Sequence, residues 1–185
     1  MTSEQREPEA KLFNHAELIY APGERALAQR FFEALGCEVM QTGGPYLVVK
    51  LDPKSENFYD NVLYVSEMVE EQRELEAILK RGLDAKSELG DRHKKFVACF
   101  ERQPQRTTHL GFRLTSTEEL DRVLGRLEVL GQELPGRVTV PRVIRPGDED
   151  SLDPNLIQAF VRTDICASGL LCLGQHFELQ VPLGR

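Results

Sequence analysis

Thr107-Thr108-His109-Leu110-Gly111-Phe112 echoes an earlier stretch, Phe13-Asn14-His15-Ala16-Glu17-Leu18, with the two histidines ninety-four residues apart. Each opens the same succession of signals: a strand-like run, turn residues, an amphipathic segment and a Leu-Gly pair. The pairs are Leu35-Gly36 and Leu130-Gly131, whose glycines lie 21 and 22 residues after their histidines. A duplicated module with one histidine near the start of each copy is a way to build a metal site at a pseudo-twofold interface.

The segments between histidine and glycine read as helices. Leu27, Phe31, Ala34 and Leu35 recur at helical spacing in the first copy, and Leu120, Val123, Leu124 and Leu127 in the second, so each buries one stripe. Ser116 followed by Glu119 predicts a capping box at the start of the second helix, and Gly36 and Gly131 are predicted to end their helices in the left-handed conformation. Strand-like runs follow: 38–41, 46–51 and 62–66 in the first copy; 138–144, 156–163, a possible 169–173, and 177–181 in the second. Gly43-Gly44-Pro45 reads as a hairpin turn. Each half is therefore expected to be βαβββ.

The whole chain, 1–185, reads as one α+β domain: a first module over 12–66, a helical linker over 67–106 and a second module over 107–185. Its length and 41% apolar content suffice for a full core, since a chain of about 150 residues buries roughly two-thirds of its unfolded surface. A net charge of −7 argues against nucleic acid or an anionic membrane as partner, because both call for a basic patch. Met1 to Lys11 is polar and no run of eighteen apolar residues occurs, so a soluble, cytoplasmic protein is expected. Cys37, Cys99, Cys166 and Cys172 lack C-x-x-C spacing and read as reduced core thiols.

The linker mixes charges of both signs with apolar residues at helical spacing, Leu75, Ile78, Leu79 and Leu83, then Leu89, Phe96, Val97 and Phe100. Gly82 and Gly90 are expected to divide it into two helices. Packing across the modules or against a second subunit follows from such amphipathic segments, and a homodimer is expected.

Strand alternation sorts the candidate site residues by face. In His176-Phe177-Glu178-Leu179-Gln180, Glu178 shares a face with His176 and Gln180, opposite Phe177 and Leu179. His109 shares one with Thr107, Gly111 and Arg113, away from the helix-packed side. His15 lies with Phe13, Glu17 and Ile19 on a mixed face suited to lining a cup. Two imidazoles and a carboxylate, His15, His109 and Glu178, suit a divalent first-row metal, and a facial set with open positions is the habit of non-haem Fe(II) oxygenases; zinc, manganese, nickel or cobalt would accept the same donors.

At this point the chain resembles the vicinal oxygen chelate superfamily, the glyoxalase, bleomycin-resistance and extradiol-dioxygenase group, over about residues 12–66 and 107–181. The resemblance rests on FNHAELIY, NVLYVSEM, TTHLGF and HFELQ. It implies paired βαβββ modules forming a curved mixed sheet around a metal-binding cup, with metal ligands on the first and last strands of the modules. Tyr64 stands where glyoxalases carry a second glutamate, while Glu67, the nearest acid, has the opposite parity and is expected to begin the linker helix. That departure weakens a glyoxalase-type isomerisation and leaves a ligand set like that of type I extradiol dioxygenases, with Fe(II) favoured. Tyr64 and His176 are then candidates for proton donation or relay. Arg142 and Arg145, in a loop 141–154 that also holds Asp148-Glu149-Asp150, are candidates to pair with a substrate carboxylate.

The expected function is metal-dependent oxygenation of a small chelating substrate, catechol-like or enediol-like. A lyase, isomerase or epimerase using the same ligands is the rival within enzymes. A non-catalytic drug- or metabolite-binding protein resembling bleomycin-resistance proteins is the rival outside them.

Overall fold

The computed structural model describes residues 14–41, 43–54, 61–169 and 175–183. The first module runs β1 (His15–Tyr20), α1 (Arg25–Ala34), β2 (Glu38–Gln41), β3 (Tyr46–Lys50) and β4 (Val62–Glu67). Two helices follow, α2 (Glu70–Asp84) and α3 (Glu88–Arg102), then a 3-10 turn at Pro104–Arg106. The second module is β5 (His109–Arg113), α4 (Thr117–Glu133), β6 (Val138–Ile144), β7 (Leu156–Thr163), β8 (Cys166–Ala167) and β9 (Gln175–Pro182). The strand orders are β2-β3-β4-β1-β8 and β5-β9-β7-β6.

Set aside β8, and the two sheets follow one plan. The first strand of each module lies parallel to its last, and the middle strands follow antiparallel. This is the α+β, paired βαβββ architecture implied by the resemblance, in two mixed sheets. β8 is an addition: it leaves the second module to pair antiparallel with β1 at Ile19 and Tyr20, closing the edge of the other sheet. Of the possible strand at 169–173, residues 170–173 lie outside the described residues, as does Cys172. Cys37 and Cys99 are half-buried and Cys166 is buried, and none of the three is in a disulfide. Burial, opposed by Arg126, pushes the Cys37 thiol up to about 12, so it stays protonated at neutral pH.

One core runs through both modules. Leu18 and Tyr20 of β1, Phe31 and Phe32 of α1, Leu120, Val123 and Leu127 of α4, and Phe177 and Leu179 of β9 belong to the same cluster. Ionic contacts border it. Arg126 on α4 donates to the Ala34 carbonyl at the end of α1 at 2.8 Å, and Arg30 pairs with Glu133. Arg137 donates to both Glu24 oxygens at 2.7 and 2.8 Å and to Asp164 at 2.8 Å, which raises its pKa further. With about a quarter of each partner's side chain exposed, Arg137→Met is expected to cost about 1–2 kcal/mol in urea unfolding, more than an ordinary surface pair, because it leaves Glu24 uncompensated.

The helix ends differ in an instructive way. Gly36, at φ 91°, closes α1 as predicted: its N–H reaches the Glu33 carbonyl and that of Cys37 the Phe32 carbonyl, a Schellman pattern. Gly131 does not end its helix. α4 continues to Glu133 and the chain turns instead at Gly136, φ 79°. Gly131 is required for another reason, since a Cβ there would stand 2.8 Å from the Val138 carbonyl oxygen, where α4 crosses β6. Gly131→Ala is therefore expected to destabilise by about 1–3 kcal/mol. Gly125→Ala, in the same helix with nothing within 4 Å of its Cβ, is expected to stabilise by up to about 1 kcal/mol. Paired thermal melts check both signs.

Ser116 caps α4 as predicted, accepting from the Glu119 N–H at 3.2 Å, while the Glu119 carboxylate reaches past Ser116 to the N–H and hydroxyl of Thr115. The linker divides into two helices, but not at its glycines. Gly82 lies within α2, and the break comes at 85–87, where Ser87 accepts from the Gly90 N–H. Glu67 is the last residue of β4 and does not begin the helix.

Candidate functional site on the second sheet

β5 and β9 run side by side with His109 opposite His176 and Gly111 opposite Glu178. Alternation sends Leu110, Phe112, Phe177 and Leu179 to the core. His109, His176, Glu178 and Gln180 are left on the other face, as the sequence predicts. β7 adds Gln158, Phe160 and Arg162, the partners of Gln180, Glu178 and His176.

The center of this face is a carboxylate and an imidazole. Glu178 Oε2 lies 3.1 Å from His109 Nε2, with 5% of the glutamate side chain and 25% of the histidine side chain exposed. His109 Nδ1 is 2.8 Å from the Thr107 carbonyl oxygen, which only accepts, so Nδ1 carries the proton. Nε2 then faces the carboxylate either across a hydrogen bond with a shared proton or as a lone pair that shares a cation with Glu178. The other Glu178 oxygen is occupied: Gln158 and Gln180 both donate to Oε1, Gln180 at 3.0 Å. The Phe160 ring meets the His109 ring edge-on at 5.7 Å. Glu178 is thus turned so that Oε2 alone addresses the imidazole.

His176 is fully buried on the same face. The Thr107 hydroxyl gives its proton to the Pro104 carbonyl at 2.8 Å and lies 3.3 Å from His176 Nδ1, so that nitrogen is the donor to it. Burial, then Arg162, then His109 lower its pKa to about 4, so at neutral pH the imidazole is uncharged. The end of the linker roofs this region. Glu101 of α3 pairs with Arg162 at 3.7 Å, and Gln105 donates to Gln158 at 3.1 Å and to the Asp150 carbonyl at 3.2 Å.

The remaining predicted residues sit apart from this pair. His15 is exposed on β1 of the first sheet, its Nδ1 2.8 Å from Asn14 Oδ1 and its ring edge-on to Tyr64 at 5.3 Å. Glu17, the cross-strand partner of Tyr64, accepts from Ser66 on the same face. Among the described residues no group of three or more His, Cys, Asp or Glu stands close enough to hold a metal ion. The structure therefore brings together two of the three predicted donors, His109 and Glu178. Arg142 lies in β6, not in a loop, opposite Phe160, and pairs with Asp150; Arg145 is exposed in the turn that follows, its N–H on Asp148.

Sequence reasoning passed over Gln105, Gln158 and Arg162. The signal for two of them is the alternation of Gln158, Phe160 and Arg162 with Ile157, Ala159 and Val161. Gln105 carries no such pattern and reaches the site only because the linker folds back.

No protein-family model matches the chain, and no curated protein matches it. Solved structures with a similar outline include lactoylglutathione lyase from Agrobacterium tumefaciens, 14% identical, TM-score 0.48, covering 94% of this chain and 96% of that one. Oxidase ChaP-H2 is 16% identical, TM-score 0.42, over 96% and 98%. A glyoxalase/bleomycin resistance protein/dioxygenase from Alicyclobacillus acidocaldarius is 10% identical, TM-score 0.42, over 97% and 96%.

Proposed function

We propose that the chain is a metal-dependent enzyme acting on a small chelating substrate, with His109 and Glu178 as two of the protein ligands of one divalent ion and His15 as the third. The observation that carries the reading is the facing pair His109 Nε2 and Glu178 Oε2 at 3.1 Å, with the histidine tautomer set by the Thr107 carbonyl. A backbone carbonyl on the far nitrogen is the usual device for orienting a metal-binding histidine. The amides of Gln158 and Gln180 do the same for the carboxylate by occupying Oε1. Support for His15 comes from its matching place in the duplicated framework and its exposure on the first sheet.

When bound, a divalent ion would supply Lewis acidity toward the substrate's oxygens and, if it is iron, one-electron chemistry with dioxygen. The residues do the rest. His176, linked to Thr107 and uncharged at neutral pH, is too weak a base to hold a proton there and serves as a hydrogen-bonding neighbour of the ligand pair, and Phe160 and the linker roof limit water on this face. Tyr64, beside His15, is a hydrogen-bond donor in the same scheme. Oxygenation of a catechol- or enediol-like substrate with Fe(II) is the favoured reaction, and a lyase or isomerase reaction is its rival on the same residues. Arg142 would meet a substrate carboxylate by exchanging Asp150 for it.

A second reading has its own observation, the lack of a three-residue group among the described residues. His109 would then be a structural hydrogen-bond partner of Glu178, and the chain a binding protein without metal.

Metal analysis of protein purified without air separates them. About one Fe(II) per chain, lost in His109→Ala and Glu178→Gln, is expected. The same loss in His15→Ala would make His15 the third ligand, and retention would remove it from the set. Zinc, nickel or cobalt at that stoichiometry would favour the lyase or isomerase. No metal after reconstitution would overturn the enzyme reading.

A further inference from the structure

Two segments roof the face that carries His109 and Glu178. Glu101 of α3 pairs with Arg162, Gln105 donates to Gln158 at 3.1 Å and to the Asp150 carbonyl at 3.2 Å, and the Asp150 carboxylate pairs with Arg142. Beneath them His176 and Phe160 are fully buried, and Gln158 and Glu178 are buried as well. A molecule that reaches this face must therefore take the place of part of the roof. The linker is its looser part: Leu75 and Ile78 of α2 and Leu89 of α3 face solvent, and neither helix contributes a described side chain to the core cluster. The linker's end meets β7 through a carboxylate and an amide.

The carboxylate shows what can replace it. Arg162 stands opposite His176, which is itself opposite His109, so the three form one row across β7, β9 and β5. Adjacent strands are about 4.8 Å apart, which puts the Cα atoms of Arg162 and His109 about 10 Å from each other. The Arg162 side chain is 18% exposed and that of Glu101 49%, and the 3.7 Å between them is longer than a hydrogen bond. A guanidinium this far from water keeps its charge. Displacing Glu101 with a neutral group would leave that charge without its carboxylate, which is the costly way to break a buried pair. A second carboxylate in its place would not, and the planar fork can hold it through two parallel hydrogen bonds. Arg142 can meet a carboxylate at the rim, but its side chain and that of Asp150 are each 42% exposed, where water weakens the contact.

We infer that Arg162 is the anchor for a carboxylate of the small molecule taken up on this face, and that Glu101 is its internal stand-in, displaced as the linker end lifts. The ligand class is an organic acid whose carboxylate lies at the far end of the row from His109 and Glu178. This rests on the reading of that face as the substrate side and names the substrate class, but it needs no metal to be tested.

Backbone-amide NMR titrations of the full chain in chelator, with hydrocinnamate and its neutral amide as probes, test it. Neither probe carries a vicinal oxygen pair, so a chain that binds the acid but holds no metal would lose the metal reading and keep this one. The acid is expected to bind at least about tenfold more tightly than the amide. Glu101→Gln, a change at an exposed position, is expected to tighten the acid by about threefold or more and the amide by less. Arg162→Gln is expected to bring the acid down to the level of the amide, with Arg162→Lys between. No binding of the acid, equal binding of acid and amide, or no tightening in Glu101→Gln would overturn the inference. So would a loss in Arg142→Gln that Arg162→Gln does not show.

Discussion

Phe177→Ala is expected to be the most destabilising single change in the molecule, costing about 3–5 kcal/mol. The ring is fully buried in β9 and lies 5.3 and 5.9 Å, centroid to centroid, from Phe31 and Phe32 of α1, and 5.4 Å from Phe112 of β5. Two of those three partners belong to the other module. Truncation leaves a cavity between rings on different elements, which cannot all collapse inward at once. Because the ring joins the halves of one core, urea unfolding of the variant should remain a single transition at a lower midpoint. Two separate transitions, or a loss under about 1 kcal/mol, would show that the modules do not depend on this contact.

Acid stability depends on His176. Its pKa is lowered from the ordinary 6.5 to about 4 in the folded protein, by burial first and by Arg162 and His109 after it. Below 6.5 the unfolded chain takes up a proton that the native site refuses until about 4, so the folded state loses stability as pH falls across that window. Above 6.5 neither state binds the proton and the contribution is level. The whole window amounts to about 3 kcal/mol. In chelator, wild-type stability should fall between pH 7 and pH 4.5 by clearly more than that of His176→Gln. Equal slopes in the two proteins would show that His176 is not buried in its neutral form.

Much of this was legible before the fold. The strands at 38–41, 138–144 and 156–163 appear with their predicted bounds, and the opposite faces of Phe177 and Glu178 follow from period-two alternation alone. Gly36 ended its helix because the signal, a glycine after an apolar helical run, is local. Gly131 carries the same local signal and misled, since the carbonyl of Val138 that demands a missing side chain belongs to the next strand. Arg142 falls in both the predicted strand 138–144 and the predicted loop 141–154, and pairing with β7 decides for the strand.

The candidate site divides along the same line. Residue identity and strand parity placed His109 and Glu178 on one face, and the parallel pairing of β5 with β9 was enough to bring them together. The position of His15 relative to them is set by how the two sheets are docked, through Phe177, Arg137 and β8, and no periodicity in the chain encodes a docking angle. The roof is of the same kind: Gln105 and Glu101 reach β7 across a chain reversal between α3 and β5. The sequence by itself determined the duplicated modules, their core faces and the chemistry of the donors, because these depend on short-range spacing. Only the tertiary structure decided which donors meet, which are roofed and which apolar faces stay open, because those are properties of contacts between residues far apart in the chain.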